Sequence, residues 1–258
     1  MQDDYQLFVQ NIKSSTGIDL GLYKEAQMKR RLTSLREKQG FTNFQLYYKS
    51  LIKEPDMMEE FLTRMTINVS EFFRNPERWE ILEKKIQELE VSRRKIKMWS
   101  AACSTGEEPY TLAMLLRNYF TYNDFEVLAT DIDKAVLEIA KKGFYIERSL
   151  KEVPREMLDS FFVKSGSGYE VKEEVKKTVK FRQHNLLSDN CETGYDLIIC
   201  RNVMIYFTEE GKQALYKKLS DSLRPGGLLF VGSTEQIFNP KLYGLESEDT
   251  FFYRKASS

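Results

Sequence analysis

The residues best placed to do chemistry fall in two short stretches. Met98-Trp99-Ser100-Ala101-Ala102-Cys103-Ser104-Thr105-Gly106-Glu107-Glu108-Pro109-Tyr110 reads as an apolar strand, a small-residue turn and the start of a helix. Pro109 suits a first helical turn, where its missing N–H is not needed. Downstream, Phe125 to Thr130 reads as a second apolar strand, closed by Asp131. Strand, tight turn, helix, strand and acid in that order form a βαβ unit that can hold a nucleoside. The turn admits the ligand to the backbone, and the acid takes the ribose hydroxyls. Asp131 follows Gly106 at close to the roughly 20 residues such units use.

The turn holds one glycine, so the G-x-G-x-x-G signature of dinucleotide binding is absent. A pyrophosphate needs bare N–H groups at a helix N-terminus. Glu107 and Glu108 stand there instead; they repel phosphate and attract a cation. The ligand implied is a phosphate-free, cationic nucleoside, a description that S-adenosylmethionine meets. The plain alternative is an ordinary βα turn with helix-capping acids.

These residues must be positioned by a larger fold. The 258 residues suit one large domain, or one with a smaller companion. Hydrophobic content of 41% supports a sizeable core and excludes general disorder. Lys+Arg and Asp+Glu number 39 each, so no global field draws the chain to nucleic acid or membrane. No apolar run nears the ~20 residues of a membrane span. Met1-Gln2-Asp3-Asp4-Tyr5 lacks the basic and apolar regions of a signal peptide. Cys103, Cys191 and Cys200 show no metal spacing and fit reduced thiols. With His184 the single histidine, histidine-based triads and multi-histidine metal sites are not expected. A cytoplasmic protein without disulfides or metal is expected.

Residues 1–72 read as a helical N-terminal domain. Tyr5, Phe8, Val9 and Ile12 recur at helical spacing, as do Met28, Leu32 and Leu35. Phe44, Tyr47, Tyr48 and Leu51 form a third stripe, stopped at Glu54-Pro55, and Met57, Met58, Phe61, Leu62 and Met65 a fourth. Residues 73–94 read as a linker and connecting helix, with Asn75-Pro76 as N-cap and first-turn pair. From 95 to 258 strands and helices alternate: strands at 96–100, 125–130, 179–182, 195–200 and 228–232, helices at 109–119, 134–142 and 209–223. Asp133 and Thr208 act as N-caps, and Arg224-Pro225-Gly226-Gly227 as a turn. Such alternation builds an α/β fold, a mostly parallel, doubly wound sheet with helices on both faces. Its ligands sit beyond the strands' carboxyl ends, which places Ser100–Glu107, Asp131, Asn185 and Arg201-Asn202 together. Between about 144 and 180 the alternation breaks, and Lys164-Ser165-Gly166-Ser167-Gly168 marks a hairpin-bearing, antiparallel β insertion.

Four blocks in order resemble the chemotaxis receptor methyltransferases of the CheR family. They are Asn68-Val69-Ser70-Glu71-Phe72-Phe73-Arg74, Ser104-Thr105-Gly106-Glu107-Glu108-Pro109-Tyr110, Asp131-Ile132-Asp133 and Cys200-Arg201-Asn202-Val203-Met204-Ile205-Tyr206-Phe207. The resemblance spans nearly the whole chain. It implies a Rossmann-like methyltransferase sheet behind an all-helical domain. It also implies transfer of a methyl group from S-adenosylmethionine to glutamate side chains of bacterial chemoreceptors, forming methyl esters in chemotactic adaptation. By the same resemblance Asn68, Ser70, Arg74, Glu107, Asp131, Asn185, Leu186, Arg201 and Asn202 line the cofactor pocket. Asp131 would take the ribose hydroxyls, and Glu107 would offset the cofactor's positive charge.

A glutamate with pKa ~4.3 is already ionised at neutral pH, so this reaction needs little acid–base help. Alignment of the weak nucleophile with the methyl group can supply ~7–11 kcal/mol. Arg74 is the residue expected to orient the carboxylate, because a guanidinium fork matches its geometry; its alternative is an interdomain salt bridge. Tyr206 is expected to direct its hydroxyl at the sulfonium or acceptor, against a plain core tyrosine. The basic stretch Lys24–Lys38 places Lys29, Arg30 and Arg36 outward opposite Met28, Leu32 and Leu35. It suits the acidic methylation region of a receptor, or else is a solvated face. With no aromatic platform beside it, nucleic acid is not expected. His184 reads as a strand-end histidine, and Cys103 is given no chemistry. Nothing demands more than a monomer. Three other readings compete: a docking module without turnover, a nitrogen methyltransferase and a nicotinamide dehydrogenase. They are disfavoured respectively by the intact set of site residues, the lack of Asn/Asp-Pro-Pro-Tyr/Phe after the fourth strand, and the missing glycines.

Overall fold

In the computed structural model residues 3–66, 68–89 and 95–257 are described; the end of the linker reading, 90–94, lies outside them. Four helices open the chain: α1 (Asp4–Thr16), α2 (Glu25–Lys38), α3 (Phe44–Lys53) and α4 (Pro55–Met65). Their stripes meet in a core of their own, with Phe8, Ile12, Leu32, Tyr47 and Phe61 fully buried. Side chains cap two starts: Asp3 Oδ1 accepts from Tyr5 N, and Asn43 Oδ1 from Leu46 N.

The connecting helix is α5 (Pro76–Gln87). Pro76 opens its first turn as expected, but Asn75 at the N-cap position (φ 61°) makes no side-chain cap. Its Oδ1 is committed to Arg201 instead. There follow β1 (Ile96–Ala101), α6 (Glu107–Arg117), β2 (Phe125–Asp131) and α7 (Lys134–Lys142). Asp133 caps α7 by accepting from Ala135 N, and Gly143 ends it in the left-handed region. The insertion holds β3 (Phe144–Ile146), α8 (Arg155–Phe161), β4 (Phe162–Ser165), β5 (Gly168–Val171) and α9 (Glu173–Lys176). The hairpin β4–β5 is joined by β3, so the antiparallel sheet has three strands in the order β3-β5-β4. The chain returns through β6 (Val179–Gln183), β7 (Tyr195–Cys200), α10 (Glu209–Ser222), β8 (Leu223–Val231), β9 (Leu245–Asp249) and β10 (Phe252–Lys255). Thr208 caps α10 as expected. Arg224–Gly227 is not a separate turn: β8 starts at Leu223 and runs through it, with a register shift opposite Tyr195–Leu197.

The large sheet has the order β6-β2-β1-β7-β8-β10-β9, and its first five strands are parallel. The chain winds outward from β1 to β2 and β6, then returns to β7 and β8. The order therefore reverses between β1 and β7, the topological switch point where doubly wound sheets bind ligands. Alternate side chains feed different cores, as strand geometry requires. Met98, Leu197, Ile199, Leu228 and Phe230 pack on one face with α5 and α6 residues such as Trp79 and Leu112. Trp99, Ile198, Cys200, Leu229 and Val231 pack on the other with α10 residues such as Leu215 and Leu219.

The helical domain is fastened over the switch point. Tyr23 bridges Phe207, Lys24 N donates to Tyr206 O at 2.9 Å, and Thr208 N donates to Leu22 O at 2.8 Å. From α4 and the segment after it, Thr63 Oγ1 and Asn68 Nδ2 both donate to the Asp133 carboxylate.

Candidate active site

A cleft opens at the carboxyl ends of β1, β2 and β7 and is roofed by α2 and the segment after α4. Its floor begins with the turn after β1, where Ala102, Ser104 and Gly106 all have positive φ. At Gly106 (φ 96°) an added Cβ would meet Ala140 Cβ at 2.8 Å and the Tyr145 hydroxyl at 2.9 Å. Both the backbone angle and the space therefore demand glycine there. Gly106 ends the turn directly before α6, which begins at Glu107 with Pro109 third. Ser104 Oγ is buried at this turn without a partner, among the residues lining the cleft. A buried hydroxyl that leaves its bonding capacity unused there is suited to a polar ligand.

Asp131, at the end of β2, is only 6% exposed. Ser104 N donates to its Oδ2 at 2.9 Å and Asp133 N to its Oδ1 at 3.0 Å. Each oxygen keeps a further lone pair for the cleft. Two fixed acceptors on one strand end match the two hydroxyls of a ribose. Of the two turn carboxylates, Glu108 lines the cleft; Glu107 lies behind it, bonded by the Thr105 and Ser70 hydroxyls. Glu108 accepts from Ser100 Oγ at 2.8 Å and faces Arg201 Nη1 at 3.6 Å. Burial raises the pKa of Glu107, Glu108 and Asp131 above the ordinary carboxylate range, while Arg201 pulls Glu108 back down.

Arg201 itself is buried. Its Nη2 donates to Arg74 O and to Asn75 Oδ1, both at 2.9 Å, and its guanidinium lies over the rings of Phe230 and Trp79. It pins the segment carrying Arg74 through Nη2, while its Nε is buried without a partner. Arg74 lines the cleft and donates through Nη1 to Val69 O at 2.9 Å. Asn68 also lines the cleft, with its amide nitrogen committed to Thr66 and Asp133. Asn185 Oδ1 accepts from Leu187 N, and Lys218 Nζ donates to Leu186 O, so the Asn185-Leu186 turn is held from behind. Asn202 (φ 59°) and Tyr206 complete the wall, with the Arg31 guanidinium 6.0 Å from the Tyr206 ring.

On α2 the structure redirects one expectation. Arg36 does not project outward: its side chain is 14% exposed and its guanidinium covers the Phe44 ring. Lys29 is tied to Asp3 at 2.6 Å, and Arg30 is exposed. The basic residues of this helix region that reach the cleft are Lys24 and Arg31. Their signal was present in the sequence, since Lys24, Met28 and Arg31 share one helical face at i, i+4 and i+7. The cleft is consequently two-sided. Glu108 and Asp131 form an acidic floor, with Arg201 facing Glu108, while Lys24, Arg31 and Arg74 with Glu71 form a mainly basic wall. His184 lines the cleft as well, its Nε2 turned to Cys191 Sγ at 3.5 Å. No group of three or more His, Cys, Asp or Glu able to hold a metal occurs among the described residues.

A doubly wound sheet with buried carboxylates gathered at its switch point is the architecture expected of a methyltransferase of the nucleoside-donor class. Residues 68–252 match the family described as "CheR methyltransferase, SAM binding domain", and residues 3–66 match "CheR methyltransferase, all-alpha domain". The chain belongs to the CheR methyltransferase family. It is 46% identical over 257 residues to the chemotaxis protein methyltransferase of Listeria innocua, covering 99% of this chain and 98% of that one. It is 33% identical over 251 residues to that of Borreliella burgdorferi, covering 92% and 89%. The chemotaxis protein methyltransferase 1 of Pseudomonas aeruginosa is 32% identical over 249 residues. The protein is thus an S-adenosylmethionine-dependent methyltransferase.

The raised carboxylates give a pH prediction. Between the ordinary and the raised values the folded protein holds more protons than the unfolded chain. Without ligand, stability therefore falls as pH rises through that window. A cation entering the cleft favours the ionised forms, so S-adenosylmethionine binding in that window should release protons. Calorimetry in buffers of different ionisation enthalpy should show a buffer-dependent heat with the sign of release; uptake would contradict the assignment.

Proposed function

We propose that this enzyme methylates glutamate side chains in the cytoplasmic methylation region of membrane chemoreceptors, giving methyl esters, and that it acts as a cytoplasmic monomer. The supporting observation is the two-sided cleft. An acidic floor suits the cationic donor, and a basic wall suits an anionic acceptor. A nitrogen methyltransferase would need acceptors for amine protons where this chain presents Lys24, Arg31 and Arg74.

S-adenosylmethionine, when bound, supplies a methyl group carried on a sulfonium. Asp131 would hold its ribose, Ser104 and the Asn185-Leu186 turn its remaining polar edges, and Glu108 with Glu107 its charge. Arg74 would orient the acceptor carboxylate, with one guanidinium edge left after its bond to Val69 O. Too tight a pair would blunt the nucleophile, so its task is alignment. Tyr206 would direct its hydroxyl between donor and acceptor, and the roof formed by α2 would exclude water, which strengthens these interactions.

Arg31→Glu combined with Arg30→Glu should raise KM for receptor by about 10-fold or more, since like charges replace complementary ones. S-adenosylhomocysteine affinity should change little. An unaltered KM would remove α2 from acceptor binding. Receptor membranes whose methylation-region glutamates are replaced by alanine should take up no methyl label; undiminished labelling would refute the proposed substrate. No described helix is long and apolar enough to cross a membrane.

A further inference from the structure

Glu235 lies on the loop after β8, does not line the cleft, and is 4% exposed. Its carboxylate accepts four backbone N–H bonds. Oε2 takes Asn202 N at 2.6 Å and Gly232 N at 2.9 Å. Oε1 takes Met204 N at 2.7 Å and Ile205 N at 3.3 Å. Three of these donors belong to the stretch from Asn202 to Tyr206, two of whose cleft residues are Asn202 and Tyr206. That stretch holds Asn202 in the left-handed region and then makes one short turn of 3₁₀ helix from Met204 to Tyr206. Its first N–H groups have no partner inside so short a helix. A buried carboxylate supplies all of them at once.

The recess is built for that carboxylate. Glu235 N closes a turn on Gly232 O at 2.9 Å, which brings the side chain back beneath the loop. Any Cβ at Gly232 would collide with the carboxylate and come within 2.9 Å of Asn202 N. The two ends of the clamped loop are held by different partners. The Asn202 end follows Arg201, anchored through Arg74 O and Asn75 Oδ1. The Tyr206 end is held by Lys24 N on Tyr206 O at 2.9 Å, Tyr206 N on Val203 O at 3.2 Å and Phe207 N on Met204 O at 3.1 Å.

We infer that Glu235 is a positioning residue for methyl transfer: its carboxylate sets the Asn202–Tyr206 loop and, through it, the Tyr206 side chain against the acceptor. The inference rests on reading the cleft as the site of transfer. In Glu235→Gln one oxygen becomes an amide donor, so one pair of backbone N–H groups faces a donor whichever way the amide turns. Lost bonds at Met204 N and Ile205 N release the residues that lead directly into Tyr206, whereas Asn202 follows the anchored Arg201.

The test measures kcat, receptor KM, S-adenosylhomocysteine affinity and thermal melting for the wild type, Glu235→Gln and Glu235→Asp. Glu235→Gln should lose about 10- to 100-fold in kcat, the scale of a misplaced reacting group. KM and S-adenosylhomocysteine affinity should stay within about threefold, and Glu235→Asp, which keeps both acceptor oxygens, should recover part of kcat. A folded Glu235→Gln protein with wild-type kcat would overturn the role, as would equal losses in kcat and cofactor affinity. If Glu235→Gln does not fold, Glu235→Asp, whose shorter side chain cannot reach all four N–H groups, should show the same split in smaller measure; wild-type kcat there would overturn the inference. A wild type that neither turns over nor binds S-adenosylhomocysteine would defeat the reading of the cleft itself, and the inference with it.

Discussion

Replacement of Asp131 by alanine should weaken S-adenosylhomocysteine binding by about 30- to 1000-fold, or roughly 2–4 kcal/mol. Hydrogen bonds to a charged acceptor contribute about 1.5–3 kcal/mol each, and unpaired ribose donors add a desolvation cost. The loss exceeds that of a surface contact because the carboxylate does two things. It offers acceptors to the cleft, and it fixes the floor by taking Ser104 N and Asp133 N. Asp131→Asn, which keeps one acceptor oxygen and nearly the same shape, should retain an intermediate affinity. Calorimetric titration of both variants checks the order, and wild-type affinity in Asp131→Ala would remove the sugar-binding role of this residue.

Arg74→Ala should lower kcat/KM for receptor by about 100-fold or more, because a reacting group misplaced by 1 Å can cost that much. Arg74→Lys should restore little of it, since an ammonium lacks the planar fork that holds a carboxylate in one orientation. Folding should survive, because the backbone of residue 74, which accepts from Arg201 and from Trp79 Nε1, is unchanged by the substitution. A steady-state comparison of the three proteins decides the matter. Full activity in Arg74→Ala would reduce this arginine to a structural contact with Val69.

The parts of the molecule legible in the sequence are those with local causes. The β1–α6 turn announced itself through small residues followed by acids. Asp133, Thr208 and Gly143 are cap residues whose partners lie within a few positions. The features that escaped have causes distant in the chain. Glu235 follows a strand as any loop acid does, and its partners at Asn202, Met204 and Ile205 lie some thirty residues earlier. Asn75 looked like a cap, but Arg201, 126 positions away, claims its side chain. Arg224–Gly227 looked like a turn, yet a register shift against β7 absorbs it into β8. Arg36 was readable: it follows Leu32 by four positions and so shares the buried face of α2, where its stem packs and its guanidinium covers Phe44. Glu107 and Glu108 are adjacent, and sequence cannot tell which of two neighbours at a helix start points at the ligand. Only the packing of Glu107 against Thr105 and Ser70 separates them.

The central claim is that a cleft with an acidic floor and a basic wall carries a methyl group from a cationic donor to a carboxylate. Its most direct test is incubation of the enzyme with methyl-labelled S-adenosylmethionine and receptor membranes, followed by mild alkali. An ester releases its label as volatile methanol, and that is the predicted result. Label that stays on the receptor through alkali would mean a methylated amine, and would contradict the account.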